Sequence, residues 1–212
     1  SGTSKKRWKK QEQNYGNTPR LLARGQADVI LATVTMTYER GNEVDFSKVY
    51  FVAGQALLVP IKSVLKDISD LAGKMVAVHK GSRAEQTLET LVPGAKAIVV
   101  ASYEEAMTLL EAGSIAALLE DDTILLGLMR QYPEKYQMLG DPLTKDSYAA
   151  CITKGQPEFL KVIDEVIQRF KEPENWKATF TKYFPGQVVP PIPSTFMRAT
   201  LADISGRQVE KK

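Results

Sequence analysis

Apolar positions in this chain alternate between short runs of strand length and longer stretches of helical period. Thr18 and Pro19 open the pattern, a hydroxyl N-cap followed by proline at the first helical position, and the predicted helix runs through Leu21, Leu22 and Ala23 to a stop near Gly25. Residues 28–32 (DVILA) read as an almost continuously apolar strand, expected where both faces are covered. The hydroxyl-rich segment 33–40 (TVTMTYER) reads as a loop leaving the strand's carboxyl end. Residues 50–59 (YFVAGQALLV) read as one longer extended stretch, closed by Pro60. A second series follows: strands at 74–78, 97–101 and 115–119, with helices entered at Gly81-Ser82, at 103–112 and at 121–131. Residues 147–152 (SYAACI) are another extended run. Residues 157–170 are the clearest amphipathic helix, with Phe159, Val162, Ile163, Val166, Ile167 and Phe170 at helical spacing. A last helix, about 174–184, is expected to turn Trp176, Phe180 and Tyr183 toward a core. Residues 185–193 (PGQVVPPIP) exclude regular helix and central strand, and read as a surface strap or linker.

Strands alternating with helices predict parallel or mixed sheets with helices on both faces, and such sheets bind ligands at strand carboxyl ends beside helix amino ends. Composition narrows the chemistry. One Cys excludes an intrachain disulfide and, with one His, excludes a His/Cys zinc cage. No apolar run has the length to span a bilayer, and no signal-peptide pattern stands at the start. The net charge of +3 is local: Lys5, Lys6, Arg7, Lys9 and Lys10 stand among the first ten residues without an acid, which leaves −2 for the rest. A basic stripe for nucleic acid is therefore not expected. The cluster itself reads as a solvated end, or as an arm for lipid or phosphate.

Three strand-to-helix junctions carry polar groups beyond ordinary punctuation. Thr33, Thr35, Thr37 and Arg40 set hydroxyls beside a guanidinium whose fork suits a carboxylate, though a solvated Arg fits the same residues. In His79-Lys80-Gly81-Ser82-Arg83-Ala84-Glu85, Ser82 and Glu85 fit a capping box, so a helix would start there with amides available to an anion; plain capping is the alternative. Ser102 and Glu105 repeat the box with no ligand role assigned. Glu120-Asp121-Asp122 places two Asp at a helix start, where one suffices for the dipole and the other is available to an ammonium group.

In this order the junctions resemble the polar-amino-acid family of bacterial solute-binding proteins (family 3), which includes the glutamate/aspartate-, glutamine- and histidine-binding proteins of ABC importers. The likeness is carried by LLARGQADVILATVTMTYERGNEVDFSKVYFVAGQALLV, DLAGKMVAVHKGSRAE, LLEAGSIAALLEDD and SYAACITKGQPEF, and covers residues 17–184. It implies a two-lobed α/β fold of the type II periplasmic-binding kind, with hinge strands near 52–59 and 147–152. Lobe one would comprise 17–59 and 147–184, lobe two 60–146, with a basic segment at 1–16 and a Pro-rich tail at 185–212. It further implies that Arg40 clamps a ligand α-carboxylate with help from Thr33, Thr35 and Ser82, that Asp121 binds the α-ammonium, and that His79, Arg83 and Tyr103 line the side-chain end. Family members carry roughly sixty further residues before this point, so lobe one is expected to be incomplete in this chain: either the chain is a fragment that lacks the N-terminal part, or lobe one is completed by dimerisation or domain swapping.

The function expected from the resemblance is non-catalytic binding of an acidic or amide amino acid, without cofactor or metal, in a periplasmic or extracytoplasmic compartment and in partnership with ABC permease subunits. Two alternatives stay open. One is the ligand-sensing domain of a receptor or permease-fused protein. The other is a dehydratase of prephenate-like acids, with Glu120 or Asp122 conscripted as the acid.

Overall fold

The computed structural model describes residues 18–193. In chain order it contains α1 (Thr18–Ala23), β1 (Val29–Ile30), α2 (Tyr38–Gly41), β2 (Val44–Ala53), β3 (Gln55–Pro60), β4 (Met75–His79), α3 (Ala84–Leu91), β5 (Lys96–Val100), α4 (Tyr103–Glu111), β6 (Ala117–Asp121), α5 (Asp122–Gln131), β7 (Tyr136–Met138), β8 (Asp146–Thr153), α6 (Pro157–Phe170) and α7 (Pro173–Tyr183). The strands form two sheets. One has three antiparallel strands in the order β1-β8-β2; the other is mixed, in the order β5-β4-β6-β3-β7.

The five-stranded sheet is covered on both faces, which is why its strands read as unbroken apolar runs. Ala56, Leu58, Ala77 and Leu118 point to one face and pack with Met107 and Leu110 of α4 and Leu125 of α5. The alternate residues Leu57, Val59, Val76, Val78 and Leu119 pack on the other face against Leu88 of α3. In the three-stranded sheet the central strand β8 is buried from Tyr148 to Ile152. Helix α6 is tied to β2 by a buried carboxylate, Asp164, which accepts the Lys48 amide at 2.7 Å, while the buried Lys171 ammonium donates to the Val49 carbonyl at 2.9 Å.

Several expectations need correction. The stretch 50–59 is not one strand: β2 and β3 lie in different sheets, with Gly54 alone between them. The run 28–32 is not covered on both faces; only Val29 and Ile30 pair, at a sheet edge, and Leu31 is 61% exposed. In α6 the buried positions are Leu160, Asp164 and Ile167, whereas Val162 and Val166 are each 53% exposed. Tyr183 is exposed although Trp176 and Phe180 are buried. Segment 33–40 contains the start of α2, capped by the Thr37 hydroxyl, which accepts the Arg40 amide. The strand expected at 115–119 is shifted to Ala117–Asp121 because Ile115 belongs to the turn after α4. The strap 185–193 is irregular as expected, pinned where the Trp176 indole donates to the Pro190 carbonyl at 2.9 Å. The basic cluster at 5–10 and the tail beyond 193 lie outside the described residues.

Candidate functional site

The passage between the two sheets gathers the polar residues. Only glycine fits at position 54, because a Cβ there would stand 2.4 Å from the Thr144 carbonyl oxygen and 2.6 Å from the Pro142 Cβ. That clearance lets the segment returning from β7 to β8 lie against the β2–β3 passage. Gln55 N–H donates to Thr144 Oγ1 at 2.8 Å, Leu143 N–H to the Gln55 carbonyl at 2.6 Å, and Asp122 N–H to the Gly54 carbonyl at 2.8 Å.

Around this brace stand Asp121, Gln55 and Tyr148. Asp121 ends β6 opposite Gln55 of β3 and is 3% exposed. Its Oδ1 accepts from the Gln55 amide and its Oδ2 from the Tyr148 hydroxyl, which comes from the other sheet. Burial pushes the carboxyl up to about 6, opposed first by the Tyr148 hydrogen bond; the neighbouring Asp146 and Asp122 raise it further, and the Arg40 guanidinium lowers it. Arg40 Nη1 donates to the Thr35 carbonyl at 2.8 Å, and Thr35 is bridged to Tyr148 in antiparallel fashion. Thr35, Arg40 and Asp121 are therefore parts of one connected array, drawn from both sheets. Thr33 is half-buried in the same loop.

A second group adjoins it. His79 ends β4, buried, with its ring centroid 5.1 Å from that of Tyr103. The Tyr103 hydroxyl donates to Glu120 Oε2 at 3.3 Å, and the Asp121 amide donates to Glu120 Oε1 at 3.0 Å. Burial, and then the Asp121 charge, push Glu120 up to about 8. Glu120 and Asp121 are thus strand residues rather than helix starters: α5 begins at Asp122, and Asp121, at the N-cap position, makes no side-chain cap bond. Asp122 therefore stands in the first turn of α5, while the Asp121 side chain takes no part in capping it. Asp122 is also raised, first by burial.

The junction at Ser82 differs from its expected capping box. Gly81 adopts φ +72° and Ser82 N–H returns to the His79 carbonyl, a tight turn that delays α3 until Ala84. Ser82 Oγ consequently accepts from Ala84 N–H at 3.2 Å, and Glu85 reaches back to Gly81 N–H at 2.5 Å. The N-cap residue is Arg83, whose side chain turns to Asp146: its Nε lies 2.9 Å from Asp146 Oδ1, with Thr144 Oγ1 2.6 Å from Asp146 Oδ2. Ser102 does cap α4, its Oγ accepting Glu105 N–H, but Glu105 reaches past Ser102 to accept Ala101 N–H, so the reciprocal half of the box is not made. Sequence reasoning missed Gln55, Tyr148 and Asp146. Gln55 had a visible signal, a lone polar residue in an apolar run; Tyr148 and Asp146 had none. An open concavity of about 540 Å³ lined by Glu165, Gln168, Arg169, Lys171, Glu172 and Ile192 lies away from this array and gathers no comparable set of groups. Among the described residues no His/Cys/Asp/Glu group suits a metal ion, and no helix is long and apolar enough to cross a membrane.

Residues 6–186 match the family model of the bacterial extracellular solute-binding proteins, family 3. The chain belongs to that family. Family 3 relatives include the ABC transporter glutamine-binding protein GlnH of Bacillus subtilis (strain 168), 37% identical over 164 residues, with 77% of this chain and 60% of the relative covered. They also include a glutamate/aspartate import solute-binding protein of Salmonella typhimurium, 31% identical over 179 residues, covering 80% of this chain and 58% of the relative. The chain thus spans well under two thirds of these relatives' lengths. Among solved structures it is similar to an ancestral arginine-binding protein bound to glutamine, with a TM-score of 0.72 at 30% identity over 81% of this chain and 77% of that one. The mixed α/β fold is the type II periplasmic binding-protein architecture, as expected.

Proposed function

We propose that this chain contributes to the non-catalytic binding of a polar amino acid, acidic or amide in its side chain, for ABC-type uptake. The observation that carries the reading is the array in which the guanidinium of Arg40, on α2 beside the three-stranded sheet, and the carboxylate of Asp121, at the end of β6 in the five-stranded sheet, influence one another across the Thr35–Tyr148 bridge. A cation and an anion so disposed match the two ends of a zwitterion. Thr33, Thr35 and Ser82 assist at the carboxylate end, and His79 and Tyr103 stand toward the ligand side chain. The names of the family 3 relatives, glutamine- and glutamate/aspartate-binding, favour the same class. Lobe one then holds the three-stranded sheet and lobe two the five-stranded sheet, so the boundary expected at residue 59 moves back to Gly54 and β3 joins lobe two, and a ligand that touches both lobes stabilises the closed arrangement. The setting is extracytoplasmic, and the macromolecular partner is a permease. Self-association through lobe one completes this proposal; a monomer in light scattering overturns that part.

Calorimetry with a panel of amino acids tests the reading. Each charge-assisted contact contributes ~1.5–3 kcal/mol, so Arg40→Ala and Asp121→Ala each weaken binding about tenfold or more. Unchanged affinity in both variants removes the site.

A further inference from the structure

We propose that Tyr148 is a positioning residue that fixes the Asp121 carboxylate and sets its spacing from Arg40; the inference rests on the ligand-binding reading above for its use, but not for its geometry. Asp121 has one side-chain partner in each sheet. Gln55 lies opposite it in register on the adjacent strand, so it moves with Asp121. Tyr148 belongs to β8 of the three-stranded sheet and reaches across to Oδ2.

The phenol is held at both ends. Its ring, 2% exposed, stacks on Phe51 at 6.0 Å and tilts against Tyr50 at 6.4 Å. Its backbone is fixed by the bridge to Thr35, flanked by Met36 N–H donating to the Ser147 carbonyl at 2.9 Å and Ala149 N–H to the Val34 carbonyl at 3.3 Å. Its oxygen is 3.3 Å from Thr123 Oγ1 on the first turn of α5. The Tyr148 proton is directed at the carboxylate, so the Thr123 hydroxyl is left to donate to the phenol oxygen, giving the chain Thr123 to Tyr148 to Asp121.

The bridged Thr35 supplies the carbonyl that receives Arg40 Nη1. One isolated bridge beside the three-stranded sheet therefore carries the guanidinium on its Thr35 side and the hydroxyl that grips Asp121 on its Tyr148 side. Loss of that hydroxyl leaves Gln55 as the one side-chain donor among the hydrogen bonds described for the Asp121 carboxylate. It also removes the main opposition to the effects of burial and of Asp146 and Asp122 on Asp121, leaving the smaller influence of the Arg40 guanidinium on the side of the ionised form.

Tyr148→Phe removes the hydroxyl and keeps the ring. The test follows the Asp121 carboxyl by ¹³C NMR titration of the unliganded chain, assigned with Asp121→Asn. The expected result is a midpoint raised by about one on the pH scale, with the urea midpoint little changed. A lowered stability with an unmoved Asp121 titration makes Tyr148 merely structural and overturns the proposal. Where Tyr148→Phe fails to fold, Thr123→Ala, which removes the donor to the phenol, is titrated instead; a smaller upward shift supports the chain of donors and none refutes it. Calorimetry separates the two readings. Glutamate should lose about five- to fifty-fold in affinity in Tyr148→Phe, whereas glutarate, which has no ammonium group, should keep its affinity. Equal losses for both overturn the positioning role. If the wild-type chain binds no amino acid, the functional reading fails while the titration still decides Tyr148.

Discussion

Glu120→Gln isolates the cost of burying a second carboxylate beside Asp121. Glu120 is 1% exposed, and its ionised form is disfavoured by burial first and by the Asp121 charge second, moving it from 4.5 to about 8. Both of its partners, the Tyr103 hydroxyl and the Asp121 amide, donate to it. A glutamine keeps this arrangement with a small change: its oxygen accepts the Asp121 amide, its NH₂ donates to the Tyr103 oxygen, and the phenol proton turns elsewhere. The variant therefore imitates the protonated acid. Because the folded state holds the Glu120 proton more tightly than the unfolded chain does, the wild type loses stability as pH rises from the unfolded value through about 8. Each pH unit in that window is worth ~1.4 kcal/mol, so the full loss is about 3–5 kcal/mol. Urea denaturation of wild type and variant at pH 5, 7 and 9 reads it directly. The two should be nearly equal at pH 5, and the variant should gain about 1–2 M in midpoint at pH 9, for a slope of ~2–3 kcal/mol per molar urea. Parallel pH profiles would refute the claim that Glu120 ionises inside the fold.

Gly54→Ala should cost about 1–3 kcal/mol in urea denaturation, since the new methyl meets the Thr144 carbonyl and Pro142. Arg83→Met leaves the 4%-exposed Asp146 without its cation; Arg83 keeps 23% side-chain exposure, so the expected loss is a screened ~1–3 kcal/mol, measured as a double-mutant cycle with Asp146→Asn. Asp164→Ala strands the Lys48 amide and should cost about 1–3 kcal/mol, most of it recovered in Asp164→Asn by thermal melts. Ammonium binding needs an ionised Asp121, so amino-acid affinity measured by calorimetry should be full above pH 6 and fall as pH drops through that value; a flat profile from pH 4.5 to 8 contradicts the assignment.

Much of the second sheet was legible because its strands are buried on both faces and so leave uninterrupted apolar runs, with helices of the expected period between them. Helix α6 was read to its terminal residues, yet its buried side was misjudged: Asp164 holds a position in the core and Val162 and Val166 do not, which hydrophobic spacing alone cannot reveal. The change of sheet at Gly54 was hidden within YFVAGQALLV because both halves are apolar and extended; only the close approach of residues 142–144, remote in sequence, separates them. At the site, Arg40 and Asp121 were picked out by residue type at strand ends. Tyr148 and Asp146 escaped because their roles arise from pairings across more than twenty residues, with Asp121 and Arg83 respectively.

The brace at Gly54 has a mechanical consequence. Hydrogen bonds from Gln55, Leu143 and Asp122 weld the two chain crossings into one block, with no space at the glycine for slack. A swing of one sheet relative to the other that keeps those bonds has to bend the backbone on either side of the weld, where β2 ends and β8 begins.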